Sequence, residues 1–103
     1  MIFIETEIFT EDCKILLNDD EYRAFQQHLA DNPTSGDVIQ HTGGLRKIRW
    51  SSGGKGKRGG VRVIYYYKVD ASHIRLLLIY KKGIKDDLSE AEKKILRQLN
   101  ERW

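Results

Sequence analysis

Lys47, Arg49 and Arg62 are residue types that bind phosphate, and their spacing lets one surface present all three. Lys47 and Arg49 lie two apart in Leu45–Trp50, a short, partly alternating segment that reads as a strand, and residues two apart share a sheet face. Val61–Val69 is dense in β-branched and aromatic residues, and pairing it with the first segment brings Arg62 alongside. Like charges crowded on a sheet face are costly unless an anion completes them. Ser51 to Gly60 joins the two segments and carries Lys55, Lys57 and Arg58 among glycines, whose freedom at positive φ predicts an adaptable basic loop that follows a phosphate backbone. The alternative is a hairpin whose Lys and Arg stems cover apolar surface while the charges stay in water. Seven basic residues and no acid between Gly43 and Arg62 favour the phosphate cradle.

The chemistry open to such a cradle is narrow. Metal-assisted cleavage needs clustered carboxylates or histidines, and the basic region offers only Asp70 and His73. His28, His41 and His73 fall in a helix, a loop and a turn, where packing or surface roles compete with acid/base work. What remains is metal-free transesterification, in which the 2′-OH of RNA attacks its own phosphate. Cations then stabilise the growing charge, and Lys or Tyr side chains move protons. No cofactor is expected. Tyr80 ends the last strand just before Lys81-Lys82-Gly83, where strand ends commonly place functional groups. Arg46 and Lys81 add cations for RNA contact. Tyr66, on the face of Arg62 if the strand is regular, either stacks a base or packs against a helix.

The elements that must hold these residues fit one domain of 103 residues, with 40% hydrophobic and 32% charged side chains, as expected of a folded globule. The net charge of +3 hides an asymmetry. Residues 1–41 hold nine acids against two bases, whereas residues 42–85 hold twelve bases against the single acid Asp70. A basic region of this kind is expected to meet a polyanion. Cys13 is the sole cysteine, so neither an internal disulfide nor a cysteine-based zinc site can form. The longest apolar run is too short for a membrane span, and the first residues lack the pattern of a signal peptide, so a soluble, cytoplasmic protein is expected.

Met1–Phe9 alternates as a strand with one buried face. Thr10 is positioned to cap a short helix containing Leu16 and Leu17. Asn18-Asp19-Asp20-Glu21 starts a second, which Asn32-Pro33 ends. Val61–Val69 and His73–Tyr80 read as central strands joined at Asp70-Ala71-Ser72. Ser89 and Glu92 form a capping box for a closing helix over Leu88–Trp103, with Ala91, Ile95, Leu99 and Trp103 repeating along one face. The expected fold is α+β: an antiparallel meander of about four strands with two N-terminal helices and one C-terminal helix.

Four segments carry a family resemblance: Gly-Gly-Leu-Arg-Lys-Ile-Arg from Gly43, Lys-Gly-Lys-Arg-Gly-Gly-Val-Arg-Val-Ile-Tyr-Tyr from Lys55, Leu-Leu-Leu-Ile-Tyr-Lys-Lys from Leu76 and Asp-Asp-Leu-Ser-Glu-Ala-Glu from Asp86. From Tyr22 to the C-terminal helix the chain resembles the RelE superfamily of toxins, and within it the HigB type. The resemblance implies a RelE-like fold and a ribosome-dependent mRNA endonuclease that cuts in the A site and is silenced by a cognate, HigA-like antitoxin. It places Lys47 and Arg49 at the family's paired basic positions, with Lys47 as proton-transfer group, and Arg62 at the family's phosphate-stabilising arginine. The family's C-terminal catalytic tyrosine has no positional counterpart, so Tyr80 and Lys82 are taken in its place, and the Lys57-Arg58 loop is an insertion. ParE relatives share the fold but poison gyrase, and a non-catalytic RNA-binding module is the third alternative.

Overall fold

The computed structural model describes residues 1–51, 60–85 and 87–103. Two of its three α-helices begin at capping boxes legible in the chain. Asn18 Oδ1 accepts from the Glu21 N–H while Glu21 accepts from the Asn18 N–H, opening α2 (Asp19–Asp31). Ser89 and Glu92 do the same for α3 (Glu90–Glu101). α1 (Glu7–Leu16) begins earlier than Thr10. Its cap is Thr6, whose hydroxyl accepts from the Phe9 N–H at 3.1 Å. With that donor satisfied the chain turns helical at Glu7 and buries Phe9, so β1 is only Ile2–Glu5 rather than the expected run to Phe9.

β2 (Asp37–Val38), β3 (Arg46–Trp50), β4 (Val61–Lys68) and β5 (His73–Lys81) form the expected antiparallel meander. Among the described residues the sheet nevertheless has five strands, in the order β1-β5-β4-β3-β2, and β1 runs parallel to β5. The intervening helices and meander supply the long connection that a parallel pair requires. The Val69–Ala71 turn, with Ser72 at positive φ, closes the β4–β5 hairpin.

Apolar side chains fill both faces of the sheet. On one face Phe9, Cys13, Leu17, Phe25 and Leu29 of the N-terminal helical region pack against Ile48, Val63, Tyr65 and Leu76. On the other, Leu88 and Leu96 pack against Leu45, Ile64, Leu77 and Tyr80. α3 does not bury the Ile95-Leu99-Trp103 stripe expected from the sequence. Ile95 is 63% and Leu99 43% exposed, and Leu96 and Asn100 face inward instead. Buried Arg75 selects that face. Its NH1 donates to both the backbone oxygen and Oδ1 of Asn100 at 3.0 Å, and a buried guanidinium without such acceptors would be far more costly than two partly solvated aliphatic side chains.

β5 carries one irregularity that matters for the site. Ile64 pairs with Leu78 but Tyr65 pairs with Leu76, so Leu77 is an inserted residue. The hydroxyl of Thr6 donates to the Leu77 carbonyl at 2.9 Å while capping α1. One side chain therefore ties the helix start to the bulge. Thr6→Ala is expected to lower stability by about 1–2 kcal/mol, the typical cost of a lost cap, measurable by urea unfolding.

Candidate functional site

β3, β4 and β5 pair so that Arg49, Arg62 and Tyr80 form one row across three strands, Arg49 opposite Arg62 and Arg62 opposite Tyr80. The neighbouring row on this face is Lys47, Ile64 and Leu78. The sheet thus brings together the strand-borne trio expected from the sequence. It also sets two guanidinium-bearing residues directly opposite each other, an arrangement that is unfavourable by itself.

A cleft of about 180 Å³ opens at this end of the β3–β4 hairpin, lined by Arg49, Trp50, Ser51, Gly60, Val61, Arg62 and Lys82. Lys82 is held there by its backbone N–H, which donates to the Gly60 carbonyl at 2.9 Å. Arg62 is only 9% exposed, yet its Nε and NH1 are buried with no hydrogen-bond partner among the described residues, and the buried Tyr80 hydroxyl also has none. Arg75 supplies the contrast within the same fold. It is equally buried, but it is bonded to Asn100 and His73 and stacked within 5.5 Å of the Tyr66 ring and 5.3 Å of the Trp103 ring. The fold can satisfy a buried arginine, and at position 62 it leaves Nε and NH1 without a partner among the described residues. An anion is the ligand that such donors fit.

Burial raises the proton affinity of the Tyr80 phenol, opposed by the nearby positive charges of Lys47, Arg62 and Lys85. The Lys85 ammonium lies 5.6 Å from the Tyr80 ring centroid, and its own carboxylate partner is Glu92. Lys47 Nζ donates to Asp87 Oδ1 at 2.7 Å, and that pair together with a weaker field from Arg62 holds the Asp87 carboxyl below the usual carboxylate range.

Other residues singled out in the sequence lie elsewhere. Arg46 points away from Lys47 and donates to the Thr34 and Gly36 carbonyls, at 3.1 and 2.7 Å, pinning the segment before β3. Tyr66 shares the face of Arg62 but lies beneath the Arg75 guanidinium, in the packing role. Lys81 is exposed and alternates away from Tyr80 along β5. Lys55, Lys57 and Arg58 lie outside the described residues. His28 packs on the Trp50 ring, His73 accepts from Arg75, and none of the three histidines lines the cleft.

Two residues at the site escape the sequence reading. Asp87, near the start of α3, supplies a carboxylate from forty positions beyond Lys47, and only the packing of α3 on the sheet reveals it. Trp50 packs against Phe25 and His28, yet it also lines the cleft and keeps a buried Nε1 without partner among the described residues. A second cavity, at Glu5, Thr10, Cys13 and Tyr22, lies apart. There burial pushes the Cys13 thiol up to about 11, so it is not a thiolate nucleophile at neutral pH.

Solved structures share this architecture. A double-mutant form of the Escherichia coli toxin RelE in the free state superimposes with a TM-score of 0.59 at 11% identity, over 99% of this chain and 97% of that one. The isolated E. coli RelE toxin gives a TM-score of 0.57 at 12% identity, over 95% and 97%. The chain therefore has a RelE-like fold. No family model matches its sequence. Among the described residues no helix is long and apolar enough to cross a membrane.

Arg62→Met removes a buried charge whose Nε and NH1 lack partners among the described residues and keeps a similar stem. It is expected to stabilise the free protein by about 1–3 kcal/mol, the usual penalty for unsatisfied buried donors. A fall in the thermal midpoint would instead show that Arg62 is internally satisfied.

Proposed function

We propose that this protein is a toxin that cuts ribosome-bound mRNA by metal-free transesterification. The observation that carries this reading is the row of Arg62 and Tyr80, neighbours in register, both buried, and both with hydrogen-bonding atoms that have no partner among the described residues, on a cationic face. The RelE-like fold supports it, as do the matching positions of Lys47, Arg49 and Arg62 in the resemblance drawn from the sequence.

In this mechanism the scissile phosphate lies over the row. The 2′-oxygen forms a bond to phosphorus, the bond to the 5′-oxygen breaks, and a 2′,3′-cyclic phosphate and a 5′-hydroxyl result. Arg62 and Arg49 stabilise the charge that builds on the phosphoryl oxygens, where fixed donors in a partly dry cleft are most effective. Tyr80, its proton retained by burial, is the group that protonates the departing 5′-oxygen. Lys47, in its amine form, takes up the proton lost from the 2′-hydroxyl, and Lys82 steadies the adjoining phosphate. The Lys55, Lys57 and Arg58 segment extends the contact to RNA or ribosome. Dependence on the ribosome follows from the modest acid/base set: a site without a strong base gains most from a partner that fixes the 2′-hydroxyl in line. A cognate antitoxin, HigA-like by the HigB-type resemblance, silences the toxin in the cytoplasm.

The test maps mRNA cleavage on programmed ribosomes. Wild-type protein is expected to cut in the A site. Arg62→Ala is expected to cut about 10²- to 10³-fold more slowly, the range for loss of one transition-state donor. Uncut mRNA with salt-dependent RNA binding retained would make the protein a binding module, whereas loss of gyrase supercoiling activity with mRNA intact would make it a ParE-like poison.

A further inference from the structure

The Lys47–Asp87 contact has no part in the mechanism above. Asp87 lies two residues before the Ser89 cap of α3, and its side chain is 75% exposed, whereas that of Lys47 is 24% exposed. Its carboxylate meets the ammonium at 2.7 Å, on the face that carries Arg49, Arg62 and Tyr80. Resting on the RNA-cleaving role, we infer that Asp87 is an internal stand-in for substrate phosphate: it neutralises Lys47 in the free protein and is displaced when an RNA phosphate enters, so that the Lys47–Asp87 contact sets the threshold for RNA binding.

Three observations carry this. A carboxylate offers an ammonium the same charge-assisted oxygen contact that a phosphate does, at the same distance. An exposed pair held by a single side-chain contact is weak enough for a competing anion to replace it. Among the described residues Nε and NH1 of Arg62 have no partner while Lys47 is matched by Asp87, so the carboxylate occupies the lysine and leaves those buried donors to the incoming anion. The resident carboxylate also lowers repulsion among Lys47, Arg49 and Arg62 in the absence of RNA. Asp87 suits a counter-ion better than a proton acceptor, since the cations around it keep it ionised.

The experiment measures binding of a fluorescein-labelled, unstructured oligoribonucleotide at low salt by anisotropy, alongside cleavage on programmed ribosomes. Asp87→Asn is expected to tighten binding by about three- to fivefold, the strength of one exposed ion pair. The gain is expected to vanish in the Lys47→Ala background, because it acts through that ammonium. Asp70→Asn, which removes one negative charge at the far end of the β4–β5 hairpin where Asp70 pairs with Lys68, is expected to bind as wild type does. Unchanged or weaker binding by Asp87→Asn overturns the inference, as does a gain that persists without Lys47. Unaltered affinity with lost cleavage would make Asp87 a proton-transfer group and overturn it equally. A wild-type protein that neither binds nor cuts RNA sinks the proposed function itself, whereas a wild type that does both while Asp87→Asn fails to bind more tightly sinks the stand-in alone.

Discussion

One inserted residue decides which side of the sheet Tyr80 faces. Along β5, Ile74 and Leu76 point toward the N-terminal helices, and unbroken alternation would carry Leu78 and Tyr80 to that side too. The insertion at Leu77 reverses the parity, so Leu77, Leu78 and Tyr80 all join the α3 face, and Tyr80 lies opposite Arg62. Bulges re-aim side chains in this way at functional edges. Here the irregularity is itself secured, because the Thr6 hydroxyl that starts α1 also bonds the Leu77 carbonyl. The positions of the helix, the bulge and the phenol are therefore linked.

Arg62 and Arg75 show what the fold does with buried charge. Both lie on the α3 face of the sheet, both are largely withdrawn from water, and they differ only in their surroundings. Arg75 is enclosed by acceptors and rings and fixes the end of α3, where a cation also complements the helix dipole. Arg62 faces Arg49 on one side and a phenol on the other, with Nε and NH1 lacking a partner among the described residues. A structural arginine at 62 would be a poor solution, since an aliphatic side chain of similar size would fill the space without the desolvation cost. An anionic ligand at Nε and NH1, which have no partner among the described residues, would offset that cost, the usual form of a trade between stability and activity.

Much of this was legible in the chain because it depends on local chemistry. The capping boxes at Asn18 and Ser89, the β4–β5 hairpin and the shared face of Lys47 and Arg49 all follow from short-range pattern and spacing. The misplaced features depend on contacts between distant segments. Thr10 resembles a cap as well as Thr6 does, and only the Leu77 carbonyl beside Thr6 favours the earlier start. The apolar repeat through Ile95 and Leu99 looks like a core stripe until Arg75 claims Asn100. Asp87 reads as part of an acidic lead into a helix, and no local rule connects it with Lys47 forty residues earlier. Parallel pairing of β1 with β5 escapes notice for the same reason, since strand alternation carries no information about which partner lies alongside.

The two ends of α3 have different mechanical roles, and this asymmetry bears on how the site could respond to a ligand. Its C-terminal end is held by Asn100 on Arg75, buried hydrogen bonds that would be costly to break. Its start is held by Leu88, by the exposed Lys47–Asp87 pair and by the half-buried Lys85–Glu92 pair, and the exposed pair exchanges readily with other charges. Both of those lysines also act on Tyr80, through the charge they bring to its phenol. In the proposed mechanism an anion entering at Arg62 meets this more loosely held end of the helix and displaces Asp87 from a lysine that bears on Tyr80, the proposed proton donor. In that mechanism binding and proton transfer are coupled through the same few side chains.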